Sequence, residues 1–175
     1  MTLISKEYLE QQKELHKNPM YGMASLQYGE TVKSTMNEFG LRTLCDYGAG
    51  KQRLLTKLKE LNADIDAYYP YDPSFPEYGD AKAADLVVCI DVLEHIEPEL
   101  LDNVLLDLKK LVVKYGLFTV HTGPAGKILA DGRNAHLIQQ PINWWLDKLR
   151  NYFTLGTRQE KGAGFWVIVK PKEEE

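Results

Sequence analysis

The residues able to do chemistry fall in four short clusters: Asp46 to Gly50, Asp72, Asp91 to His95, and His121 to Gly123. The first lies in LCDYGAGKQ, residues 44–52. Gly48 and Gly50 permit backbone angles that other residues resist, so a ligand can approach the main chain closely. The start of the helix that follows offers free N–H groups. Two phosphate-binding readings fail on the residues present. A phosphate loop of the form G-x-x-x-x-G-K-[ST] has its Gly50-Lys51, but Cys45 and Gln52 occupy the other anchor positions. A dinucleotide loop, G-x-G-x-x-G, has Gly48 and Gly50, but Arg53 stands where a third glycine must bring helix against strand. Asp46 suits a cationic ligand and would oppose a pyrophosphate.

Asp72 follows a second strand-like run in PYDP, 26 positions after Asp46. An acid roughly 20 residues beyond the glycine loop can accept both hydroxyls of a ribose. A turn-forming Asp before Pro73 is the competing role. ADLVVCIDVLEHIEP, residues 84–98, is a buried strand running into Asp91, Val92, Glu94 and His95. The late stretch HTGPAGKILADGRNAHLIQQPINWW, residues 121–145, has too many breakers for one helix and too much side-chain chemistry for a plain linker. His121 and His136 offer a base, Arg133 an anion clamp and Asn134 amide hydrogen bonds. Trp144 and Trp145 offer flat apolar walls. Adjacent helical residues diverge, so one tryptophan, Trp144, is assigned to the pocket and the other to the core.

Helices are predicted from Ser5 to about His16, Glu30 to Phe39 before Gly40, Gln52 to Leu61, Glu99 to Val113 before a terminating Gly116, and Pro141 to Phe153. Strands are predicted at 42–47, 66–71, 84–90, 117–121 and 164–170. Strands alternating with helices imply an α/β, Rossmann-like, mostly parallel sheet with helices on both faces. Ligands then sit beyond the carboxyl ends of the strands, where all four clusters fall. The link from Pro73 to Ala84 is short, which implies a sheet shortened in its middle.

The 175 residues suit one globular domain, divided into N-terminal helices (1–40), the sheet domain (41–171) and an acidic tail (172–175). A net charge of −4 argues against a sequence-blind grip on nucleic acid. Five basic residues between 41 and 59 read as a solvated helix face. No run reaches membrane-span length, and the N-terminus lacks an apolar signal core. Cys45 and Cys89 read as buried free thiols of a reducing compartment, hence a cytoplasmic protein. No Cys/His spacing resembles a zinc site, so no metal is expected.

D-x-G-x-G at 46–50, YDP at 71–73 and above all DVLEHI at 91–96 after a buried strand resemble the class I S-adenosylmethionine-dependent methyltransferases. The likeness covers roughly Leu41 to Leu117 and extends more loosely beyond. The loops DYG-x-G-K, YDP and GRNAHLI are similar to those of small phage and bacterial proteins of this type. The resemblance implies S-adenosylmethionine as cofactor and S-adenosylhomocysteine as product. Asp46, Tyr47, Gly48 and Gly50 would hold the methionine end, with Gln52 replacing a last glycine. Asp72 and Pro73 would hold the ribose, and Asp91 and Val92 the methyl-donor side. The acceptor pocket would draw on Tyr28, Glu94, His95, Arg133, Asn134 and Trp144, with His121 or His136 as base for a hydroxyl.

Several roles stay open on the sequence. His95 also reads as a packing residue, and His121 as structural. His16 reads as a surface residue. A metal held by Asp91, Glu94 and His95 would need oxygen ligands converging beside the acceptor, and nothing in the sequence shows them. The N-terminal segment, with Tyr21 and Tyr28, is either a lid or a brace. The acceptor implied is small or medium and polar, such as a sugar or metabolite. A nucleic-acid methyltransferase would carry an N/D-P-P-Y/F-type motif where this chain has DVLE. A non-catalytic cofactor-binding module is the third reading.

Overall fold

A computed structural model describes residues 1–173; Glu174 and Glu175 of the acidic tail lie outside the described residues. The strands are β1 (Thr43–Tyr47), β2 (Ala67–Tyr71), β3 (Ala84–Ile90), β4 (Val112–His121), β5 (Phe153–Lys161) and β6 (Gly164–Pro171). They form one sheet in the order β2-β1-β3-β4-β6-β5. The first four are parallel, and β6 and β5 add as an antiparallel hairpin at one edge. The helices are α1 (Lys6–Leu15), α2 (Gly29–Phe39), α3 (Arg53–Glu60), α4 (Leu101–Leu111) and α5 (Ile142–Arg150).

Central β3 shows why both faces are covered. Val87 and Cys89 pack into one core with Leu105, Phe118 and Trp145, while Leu86 and Val88 pack into another with Val32, Leu54 and Leu58. Side chains alternate across a strand, so a strand buried on both faces is apolar throughout, as ADLVVCI is. This is the mostly parallel, Rossmann-like sheet expected, with a mixed edge. Between Asp72 and Ala83 the regular structure is one 3-10 turn, Pro76–Tyr78, so β2 stays at the sheet edge. There Pro70, opposite Asp46, is tolerated because an edge strand needs fewer ladder donors.

Two expectations fail. Gly116 does not end a helix. α4 stops at Leu111, the chain enters β4 directly at Val112, and Gly116 pairs with Val87 and Val169. A Cβ there would lie 2.7 Å from Val169 Cγ2 and 2.9 Å from the Phe118 ring, so packing selects the glycine. Phe153 does not close α5 but opens β5, whose outer residues TRQEK are exposed and lack the apolar alternation that marks a strand.

The N-terminal segment joins two regions. α1 is capped by Ser5, whose side chain accepts the Tyr8 amide. It packs through Tyr8 against Leu129 and Ala135 of the long link after β4. The 3-10 stretch Ala24–Tyr28 then runs into α2. No described helix is long and apolar enough to cross a membrane. Cys45 and Cys89 are buried and free, and burial pushes the Cys45 thiol up to about 12.

Candidate active site

A cavity of about 450 Å³ lies beyond the carboxyl ends of β1, β2, β3 and β4. Its floor is the glycine loop. Gly48 has φ +87°, donates its N–H to Tyr71 O at 2.7 Å, and lies so near Val92 that a Cβ would overlap Cγ2. Gly50 has φ +51° and donates to Asp72 Oδ2 at 2.9 Å. The other carboxylate oxygen of Asp72 accepts the Ser74 amide at 2.8 Å. The loop between β1 and α3 is thus tied to the end of β2, and Pro73 lines the cavity beside it. Gln52 does not line it. It keeps a left-handed backbone, φ 57°, at the start of α3, the conformation that glycine adopts most easily.

Asp46 lies one residue before the end of β1 and is buried at the cavity floor. The Tyr68 hydroxyl donates to its Oδ2 at 2.5 Å. Burial pushes its carboxyl up to about 7; the Tyr68 hydrogen bond opposes this and the nearby Asp72 charge adds to it. The Tyr47 side chain turns away to Asp107, 2.9 Å from its hydroxyl, so only the rest of this residue faces the cavity. Asp91 has φ 49°, a strained angle for a non-glycine residue. Thr119 holds it there: its Oγ1 accepts the Asp91 amide at 2.9 Å and donates to Asp91 Oδ1 at 2.6 Å.

The opposite wall carries three histidines. The His136 ring centroid is 4.7 Å from that of His95 and 4.9 Å from that of His121. His136 Nδ1 lies 2.7 Å from Gly123 O, so it donates its proton there and leaves Nε2 as the lone-pair nitrogen. Burial lowers His136 and holds His95 down to about 3, with His136 nearby acting in the same direction. Behind this wall is Glu94, 0% exposed. Its Oε1 accepts the His121 amide at 2.9 Å, and its Oε2 has no partner. Burial, and secondarily Asp91, push its carboxyl well above the usual range.

Four further acceptor-pocket expectations are corrected. Tyr28 is 6% exposed and packs in the core with Val32 and Leu54, under Lys161 Nζ at 4.4 Å from its ring. Arg133 is exposed and paired with Asp131 at 2.7 Å. Asn134 closes its own loop, accepting the Ala125 and His136 amides and donating to Ala125 O. Trp144 lines a separate pocket with Lys148, while Trp145 is wholly buried. Glu94 touches the site only from behind. Each follows from side-chain direction, which residue type alone does not specify.

The sequence reading missed His16. It lines the cavity, edge-on to Tyr21 and Phe75 at 5.0 and 5.1 Å, 3.5 Å from where a Gly50 Cβ would sit. Burial lowers it. Its only sequence signal is its place before the Asn18-Pro19 break, where α1 turns back toward the sheet. Tyr21 also lines the cavity. Two of the basic residues after the glycine loop, Lys51 and Arg53, hold this segment. Lys51 Nζ donates to Asn18 O at 2.9 Å and Tyr21 O at 3.3 Å, and Arg53 donates to Pro19 O.

No protein-family model matches the chain, and no curated protein is similar to it in sequence. Solved structures are similar in fold. The 1,6-didemethyltoxoflavin-N1-methyltransferase of Burkholderia thailandensis superposes with a TM-score of 0.65 at 15% identity, over 99% of this chain and 93% of that one. Mitomycin 7-O-methyltransferase MmcR gives 0.66 at 13%, over 93% and 60%. An O-methyltransferase family protein of Burkholderia thailandensis gives 0.62 at 12%, and this chain spans 65% of its length. The chain therefore has the fold shared by these methyltransferases, a Rossmann-like sheet with the cavity at the carboxyl ends of its strands.

Proposed function

We propose that the protein is an S-adenosylmethionine-dependent methyltransferase acting on a small or medium polar acceptor. The observation that carries this reading is the pairing of a buried carboxylate, Asp46, with a glycine loop fixed by a second carboxylate, Asp72. Asp46 is costly to ionise where it lies unless a cation joins it. The ammonium of the cofactor's methionine end is such a cation. Asp72 retains lone pairs for a ribose diol after accepting its two amides. Three of the structures similar in fold hold S-adenosylhomocysteine. When bound, the cofactor supplies a methyl group on a sulfonium.

The protein's own part is positioning, exclusion of water and proton removal. His121, on the cavity wall beside His136, is the proton acceptor. α1 and the Asn18–Tyr21 turn cover the cavity as a lid. The acceptor enters on the histidine side. The net charge of −4 supports a small molecule over nucleic acid, and the two buried thiols support a reducing, cytoplasmic setting.

Calorimetric titration with S-adenosylmethionine and S-adenosylhomocysteine tests this. Binding to the wild type that is lost in Asp46→Ala and Asp72→Ala is the expected result, followed by transfer of labelled methyl to a pool of small acceptors. Failure of the folded wild type to bind either ligand at millimolar concentration would overturn it.

A further inference from the structure

We infer that Glu94, His95 and His136 form a binding site for a first-row divalent cation on the acceptor side of the cavity. One ligand atom from each lies within 4.8 Å of the others, and side-chain rotations need only close this to the roughly 3.4 Å that separates ligands around one ion. Two of these side chains have a buried atom with no hydrogen-bond partner: Glu94 Oε2 and His95 Nδ1. Buried polar atoms are ordinarily satisfied. Two such orphans on neighbouring residues of one close cluster mark a place for something positive.

The hydrogen bonds around the cluster fit a metal. Gly123 takes the Nδ1 proton of His136, which leaves Nε2 free to ligate, the outer-sphere arrangement typical of metal-bound histidine. His95 Nδ1 has no hydrogen-bond partner and stays open. The other Glu94 oxygen is fixed by the His121 amide, so Oε2 is held in place. A cation would also satisfy Glu94 Oε2, which is otherwise buried without a partner.

Two imidazoles and one carboxylate select zinc, manganese, iron or cobalt over magnesium and calcium, which need mostly oxygen ligands. Three protein ligands leave coordination positions open. His95 and His136 line the cavity, so those positions face the acceptor. The acceptor class that fits is one with a hydroxyl or carboxylate oxygen able to ligate the ion; this last step rests on the function proposed above, whereas metal binding does not.

The test uses chelator-stripped full-length protein titrated with Co²⁺, followed by its visible absorption, and with Zn²⁺, Mn²⁺ and Mg²⁺ by calorimetry. One equivalent of Co²⁺ should bind with ligand-field bands, and Mg²⁺ should bind far more weakly. Glu94→Gln, which preserves the acceptor for the His121 amide, and His136→Ala should each weaken Co²⁺ binding at least about tenfold. Circular dichroism of the stripped variants separates metal loss from unfolding. If the folded wild type binds none of the transition ions, or if both folded variants bind like wild type, the inference is wrong. Titrating S-adenosylmethionine into the stripped protein keeps the two readings apart, since Asp46 and Asp72 lie outside the cluster.

Discussion

Asp72 Oδ2 accepts the Gly50 amide at 2.9 Å across 22 positions of sequence, and this bond holds the glycine loop to the end of β2. Asp72→Asn keeps the shape but can turn an NH₂ toward that amide. Hydrogen bonds to a charged acceptor contribute about 1.5–3 kcal/mol. The Kd for S-adenosylhomocysteine should therefore rise roughly tenfold to a hundredfold, measured by calorimetry, while the far-ultraviolet dichroism stays unchanged.

Gly48→Ala should be worse for the fold. The added Cβ would overlap Val92 Cγ2, at a backbone φ of +87°. Overpacking and a left-handed non-glycine residue together cost roughly 2–5 kcal/mol. Urea unfolding should show the loss, and a second change, Val92→Ala, should recover the steric share but not the backbone share. Full recovery would mean that the backbone angle is unstrained.

Asp46 gives the pH dependence. Its folded pKa, about 7, lies above its ordinary value of 3.8. The folded state therefore binds the proton more tightly, and stability falls as pH rises from about 4 to 7, then levels. Asp46→Asn should stabilise the ligand-free protein at pH 8, by at most about 4 kcal/mol, and have little effect near pH 4. Cofactor affinity should run the other way, weakening as pH drops below 7 because the bound ammonium needs the carboxylate. Thermal unfolding of both proteins between pH 4 and 8 checks the first part, and calorimetry across the same range checks the second.

Lys51 ties the Asn18–Tyr21 turn to the start of α3. Lys51→Met should raise hydrogen exchange in residues 16–28 and loosen cofactor binding a few-fold, with global stability changed by no more than about 1 kcal/mol. An unchanged exchange pattern would show that the turn is held by packing of Tyr21 and His16 alone.

The central sheet and its loaded edge are legible in local pattern. β3 can be read because burial on both faces demands an unbroken apolar run, and the glycine loop because only glycine adopts its backbone angles freely. The polar residues after β1, β2 and β3 follow from topology, since parallel strands put all their carboxyl ends on one side. Which side chains meet there depends on the folded chain. The outer half of β5, TRQEK, carries no apolar face, and Gly116 is chosen by Val169 and Phe118, contacts made within and between strands once the sheet has formed. Arg133, Asn134 and Trp144 have suitable chemistry but point elsewhere. His16 reaches the cavity from α1, and His136 meets His95 and Glu94 from a different element. Periodicity encodes which face of an element is buried; the direction of a polar side chain leaving a loop is set by the neighbours it packs against once the chain has folded.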